Sequence, residues 1–123
     1  MLTAADAINV VRAGCADSIN IKLMKSGIIE AMDIAAIARG ANLKLMIGCM
    51  LESKLALGCA VHLAAGMGGF SHVDLDPHTG PAREPFSGGP DCRAPVYTLS
   101  PHRPGIGCVK TTDVSPICFC PHG

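Results

Sequence analysis

Hydrophobic and polar positions change period repeatedly along residues 1–76. From Thr3 to Ala13 the pattern is helical. Asp6, Asn9 and Arg12 share one polar face, Thr3 and Asp6 have capping-box spacing, and Gly14 follows as a stop. Asp17 to Lys22 is a short β-branched run. Ser26 is placed to cap a second helix, Gly27 to Arg39, with Glu30 and Asp33 on its solvent side and Gly40 ending it. Leu43 to Cys49 reads as a second strand. Ser53 is placed to cap a third helix, Lys54 to Ala65, almost wholly apolar and so expected to be well covered. Phe70 to Asp76 reads as a third strand. The order α-β-α-β-α-β with short loops predicts parallel strands joined by right-handed crossovers.

Alternate side chains of a strand face opposite sides. Ile19 and Ile21 therefore take one side of the first strand, and Asn20 and Lys22 the other. In the third, Val73 and Leu75 oppose His72, Asp74 and Asp76. The apolar sets should meet the helices, which leaves Lys22, Asp74 and Asp76 pointing away from them at the C-terminal ends of their strands. In a closed (β/α) barrel that end carries the chemistry. An open sheet would need helices on its second face and would accommodate three polar residues there poorly. The expected fold is therefore α/β, the C-terminal part of a (β/α)8 TIM-type barrel holding strands six to eight. A whole barrel takes about 250 residues, so 123 residues are expected to be a piece of a larger protein and incomplete as a domain.

Composition changes sharply after residue 76. All nine prolines fall in residues 77–123, which read mostly as irregular chain. Lys+Arg and Asp+Glu are ten each, so the formal net charge is zero and no basic patch points to nucleic acid or to an anionic membrane. The most apolar stretch, 55–70, contains Gly58, His62, Gly66, Gly68 and Gly69 and reads as a buried helix rather than a membrane span. The N-terminus has no signal or transit pattern, so a soluble cytoplasmic protein is expected. Of the seven cysteines, Cys15, Cys49 and Cys59 lie in or beside apolar periodic segments, where free cysteine behaves as a small hydrophobe. Cys92, Cys108, Cys118 and Cys120 fall in loop-like sequence, and reduced thiols are expected.

The stretches "ADSINIKLMKSGIIEAMDIAAIA", "LMIGCMLESKLALGCAVHLAA" and "HVDLDP" together resemble the C-terminal barrel domain of the enolase superfamily. Within it they look most like dipeptide epimerases of the L-Ala-D/L-Glu type, in the muconate-lactonizing subgroup. The likeness runs from about residue 3 to about residue 108. It implies a partial barrel domain over 1–108 and an irregular tail over 109–123, which matches nothing in that family. It also implies an isomerase, a racemase or epimerase that moves a proton at the carbon α to a carboxylate, with Mg²⁺ stabilising the enediolate. Such chemistry requires a lysine whose amine is partly neutral near pH 7.

By its match to the motif, Lys22 is one of the two acid/base residues, and Lys25, beyond the strand end, is not catalytic. Asp74 and Asp76 match the Asp-x-Asp that receives the α-ammonium of a dipeptide, a sensible pairing of carboxylates with a primary ammonium. Cys49, Met50 and Glu52, at the end of the seventh strand, are expected to line the substrate pocket. The metal-ligand carboxylates and the opposing lysine are expected upstream, as is the capping domain, so no metal ligand is expected in this chain. The chain alone is expected to be inactive. The partner implied is a small dipeptide, with neither nucleic acid nor membrane, and a homo-oligomer of the full-length protein is compatible with the likeness.

Plainer readings stand beside these. Lys22 could be an ordinary strand-end lysine, and Asp74 and Asp76 a strand-to-loop turn ahead of Pro77. His62 reads as a half-buried helix residue, and Met46, Met50 and Met67 as core filler. The run Cys118-x-Cys120 with His122 lacks the two-residue gap of common structural zinc sites. "GMGG" at 66–69 precedes a strand, the wrong order for a phosphate loop. Alternative functions are a cycloisomerase of the same subgroup, a Schiff-base lysine at a barrel strand end, and a non-catalytic truncated product that exposes its sheet edges.

Overall fold

The computed structural model describes residues 1–76 and 84–111. Helix α1, Ala4–Ala13, begins in a complete capping box. The Asp6 amide donates to Thr3 Oγ1 at 3.2 Å and the Thr3 amide to Asp6 Oδ2 at 3.0 Å. Its N-terminus is fastened to the next helix, because the Ala4 amide donates to Glu30 Oε2 at 2.7 Å.

Strand β1, Ser18–Ile21, leads into helix α2, Leu23–Gly40. The expected cap at Ser26 is not formed. Its hydroxyl donates to the carbonyls of Lys22 and Gly27 and accepts nothing from the helix. The chain coils directly after Lys22, so Lys25 lies in a first helical turn rather than in a loop. Gly27, at φ 76° and ψ 179°, then breaks that turn from the main helix. This region of backbone space is essentially reserved to glycine.

Strand β2, Lys44–Gly48, helix α3, Lys54–Met67, and strand β3, His72–Asp74, complete the repeat. Ser53 does cap α3, its Oγ accepting from the Ala56 amide at 3.3 Å. The three strands are parallel in the order β1-β2-β3. Ile19 aligns with Leu45, Ile21 with Ile47, and Ile47 with Val73, which makes one continuous apolar face. Ile34, Leu45 and Ile47 are its fully buried centre, and Ala31, Ala35 and Ala38 let α2 approach the sheet closely. The opposite face carries Asn20 aligned with Met46 and His72.

Two expectations of burial differ from what is found. Val73 shares the apolar face yet is 56% exposed, whereas Leu75 is 7% exposed. β3 is an edge strand, and Val73 opens onto a groove of about 330 Å³ beside Val61, Ala64 and Phe70. Along α3, only Gly58, Ala60 and Val61 are buried, so this apolar helix is less covered than its composition suggested.

The chain after residue 83 is more ordered than its prolines suggest. Strands β4, Phe86–Gly88, and β7, Cys108–Lys110, pair antiparallel, as do β5, Asp91–Arg93, and β6, Val96–Thr98. β7 thus continues across the boundary drawn after residue 108. The segment is stapled to α3, for Glu84 Oε2 accepts from the Lys54 amide at 2.8 Å, at the positive end of the helix. The two bodies approach so closely at Gly58 that an added Cβ would lie 2.7 Å from Ile106 Cγ2. The Cys118-x-Cys120 and His122 run lies outside the described residues, as does Pro77. Among the described residues no helix is long and apolar enough to cross a membrane.

Candidate active site

Gly48 is the floor of the site. It aligns with Asp74 across the β2–β3 ladder. One step beyond the Ile21–Ile47 pair, it also lies opposite Lys22. A Cβ built on Gly48 would meet Asn20 Oδ1 at 3.1 Å and Lys22 Cε at 3.4 Å. A methyl there would crowd Asn20 and just touch Lys22, so the bare glycine leaves room for both side chains on this face. A glycine inside a strand marks such close approaches.

Lys22 is half-buried, and its Nζ donates to the Cys49 carbonyl at 2.8 Å. Cys49 holds the other candidates too. Its amide donates to the Asp74 carbonyl at 3.2 Å, and its Sγ accepts from the Asp76 amide at 3.2 Å. Three backbone and side-chain atoms of one residue thus tie the lysine to both aspartates.

Asp74 and Asp76 are exposed and line one cleft of about 180 Å³, whose other side is formed by Cys92, Pro95 and Tyr97. Past the end of β2, Met50 and Leu51 form an exposed apolar lip, 44% and 68% exposed. Glu52 folds back beneath it, its Oε1 accepting from the Met50 amide at 3.1 Å. The structure thus brings Lys22, Asp74, Asp76 and Cys49 together and places Met50 and Glu52 on the adjoining turn.

Tyr97 was missed from the sequence. Its hydroxyl donates to the Leu75 carbonyl at 2.8 Å, between the two aspartates. Burial pushes its pKa well above the ordinary 10, helped by the neighbouring Cys92 and Cys49 thiols and the Asp76 carboxylate. The available signal was faint. Tyr97 is the chain's one tyrosine and stands in a β-branched "VYT" run. Among the described residues, no group of three or more His, Cys, Asp or Glu side chains could hold a metal ion.

Chemically, the arrangement offers an amine at one strand end and a pair of carboxylates two strands away, above a floor with no side chain. That suits a small substrate carrying an ammonium group and an acidic C–H bond.

Residues 1–114 match the family described as enolase C-terminal domain-like. An aromatic dipeptide epimerase of Herpetosiphon aurantiacus is 49% identical over 87 residues, 71% of this chain and 24% of the relative. Among solved structures, a mandelate racemase/muconate lactonizing enzyme from Roseiflexus sp. superposes with a TM-score of 0.83 at 46% identity, covering 90% of this chain and 32% of that one. A dipeptide epimerase from Methylococcus capsulatus, complexed with Mg and the dipeptide L-Arg-D-Lys, superposes with a TM-score of 0.78 at 37% identity, over 89% and 31%. The chain thus spans about a quarter to a third of the length of these proteins. The sheet and its helices are the corresponding C-terminal part of a TIM-type barrel.

Proposed function

The chain belongs to the enolase C-terminal domain-like family, and from that premise we propose that it supplies part of the active site of a dipeptide epimerase. Lys22 removes or returns the proton on one face of the carbon α to the substrate carboxylate. Asp74 and Asp76 receive the substrate ammonium. Cys49, Met50 and Glu52 shape the wall between them. The proton's other acceptor lies outside the described residues. The ligands of the Mg²⁺ proposed for the full-length enzyme are, by the resemblance, carboxylates of the barrel strands upstream. A cytoplasmic setting fits the five free cysteines among the described residues.

The observation that carries this reading is the convergence of Lys22, Asp74 and Asp76 on Cys49. A strand-end lysine reaching idly into solvent would not be half-buried and bonded to the neighbouring strand's last carbonyl.

The test is a chimera in which residues 1–111 replace the matching third of the Herpetosiphon aurantiacus relative. In D₂O with Mg²⁺, proton NMR should show exchange of the α-proton of a dipeptide. Lys22→Ala should slow that exchange by about 10²- to 10⁴-fold, the usual weight of a general acid/base. Exchange at an undiminished rate in Lys22→Ala would remove the lysine from the mechanism. The 123-residue chain alone with Mg²⁺ should give no exchange.

A further inference from the structure

The ladder between β2 and β3 ends where Gly48 meets Asp74. Asp76 lies two residues further on, where regular pairing no longer fixes the backbone. Yet the peptide group joining Leu75 to Asp76 is held at both ends. Its carbonyl accepts from the Tyr97 hydroxyl at 2.8 Å, and its amide donates to Cys49 Sγ at 3.2 Å. These side chains come from different places, the end of β2 and the β5–β6 hairpin.

We propose that Cys49 and Tyr97 are positioning residues that clamp the Leu75–Asp76 peptide, and so fix the backbone positions from which the Asp74 and Asp76 side chains project beside Lys22. The proposal rests on the function argued above.

A peptide plane pinned on its carbonyl and amide sides cannot turn about its flanking Cα bonds without breaking a hydrogen bond. With the Asp74 carbonyl also held by the Cys49 amide, the Cα atoms from which the two carboxylates project therefore keep one separation. Tyr97 suits this task because its rigid ring delivers a hydroxyl from a half-buried position. The thiol is a weak acceptor, but it stands on the residue whose own carbonyl anchors Lys22. The clamp and the lysine anchor are thus two sides of one residue. It follows that the C-terminal segment does more than cover α3, since through Tyr97 it reaches the substrate's proposed ammonium site.

The test uses the chimera described above, labelled with ¹⁵N and supplied with Mg²⁺. Hydrogen exchange reads the clamp directly at the Asp76 amide, and a titration with L-Ala-L-Glu reads the carboxylate pair. Tyr97→Phe and Cys49→Ala should each lower protection of the Asp76 amide about fivefold or more, as expected for loss of one hydrogen bond. Each should raise the Kd of the dipeptide about three- to tenfold. Cys49→Ser, which keeps an acceptor, should restore both. Protection at Ile47 should stay unchanged, which separates loss of the clamp from unfolding.

Unchanged protection at Asp76 in both variants would overturn the clamp. Lowered protection with unchanged dipeptide affinity would overturn its positioning role. If the unsubstituted chimera bound no dipeptide, or Asp74→Asn bound it equally well, the ammonium-site reading would fall and take the positioning role with it. The exchange measurement would still report whether the peptide is clamped.

Discussion

Tyr97 gives the sharpest test of the structure, because the chain holds one tyrosine and no tryptophan. Absorbance near 295 nm therefore follows the ionisation of a single group. Its hydroxyl donates to the Leu75 carbonyl and is surrounded by groups that disfavour the phenolate, so its pKa in the folded chain is raised above 10. The unfolded chain ionises at the ordinary value. The stability that Tyr97 contributes is thus complete below pH 10 and is lost as the pH climbs from there towards the folded-state pKa. The slope is about 1.4 kcal/mol per pH unit.

Tyr97→Phe removes the hydrogen bond, at a cost of about 1 kcal/mol near neutrality, and also removes this alkaline loss. The two effects are equal about 0.7 of a pH unit above 10, so the two stability curves should cross between pH 10 and 11. Urea unfolding of both proteins at pH 8, 10 and 11 checks the crossing, and lysine titrations common to both cancel. A folded protein whose tyrosine is half-ionised at pH 10 would refute the reasoning, as would a constant gap between the curves.

Three further outcomes follow from the backbone and its caps. Gly58→Ala drives a methyl to 2.7 Å from Ile106 Cγ2 and should lower stability by about 1–3 kcal/mol, read as a lower urea midpoint with the C-terminal segment exchanging faster. Gly27→Ala has open space for its methyl but must hold φ near 76°, so a loss of about 1–3 kcal/mol there would be purely conformational. At α1, amide hydrogen bonds from Leu2 and Thr3 hold the Asp6 carboxyl below its usual range. The capping contribution should therefore persist down through pH 4 and disappear only as the pH falls through that lowered value. Thr3→Ala should weaken the same helix by about 0.5–2 kcal/mol in thermal melts at neutral pH.

Much of the site was legible because strand parity and register are rigid consequences of the backbone. Once Ile19 and Ile21 are assigned to the helices, Lys22 must face away, and the same logic sends Asp74 with it. What parity could not supply was the third dimension. Val73 has the right parity for burial, but as an edge residue it lacks a neighbour to cover it. Ser26 has the right chemistry for a cap, but the backbone had already coiled at Leu23, and Gly27 absorbed the break. Tyr97 was hidden for a different reason. Its contact with Leu75 spans 22 residues, and nothing periodic in sequence encodes a hydrogen bond from a hairpin to a distant carbonyl. The prolines of the last third misled similarly, since they sit beside four short strands whose pairing is set by contact with α3 and with one another.

The partner of Lys22 has a further meaning. A backbone carbonyl accepts hydrogen bonds without carrying a formal charge. Both an ammonium and a neutral amine have hydrogens to offer it. For the role proposed for Lys22, either form of the amine keeps a hydrogen for the Cys49 carbonyl. A carboxylate in that place would favour the ammonium form far more strongly than the carbonyl does. In the proposed mechanism the last peptide of β2 would be a tether that keeps hold of both forms of the amine, the ammonium more strongly, and so keeps one nitrogen in place through both halves of a proton exchange.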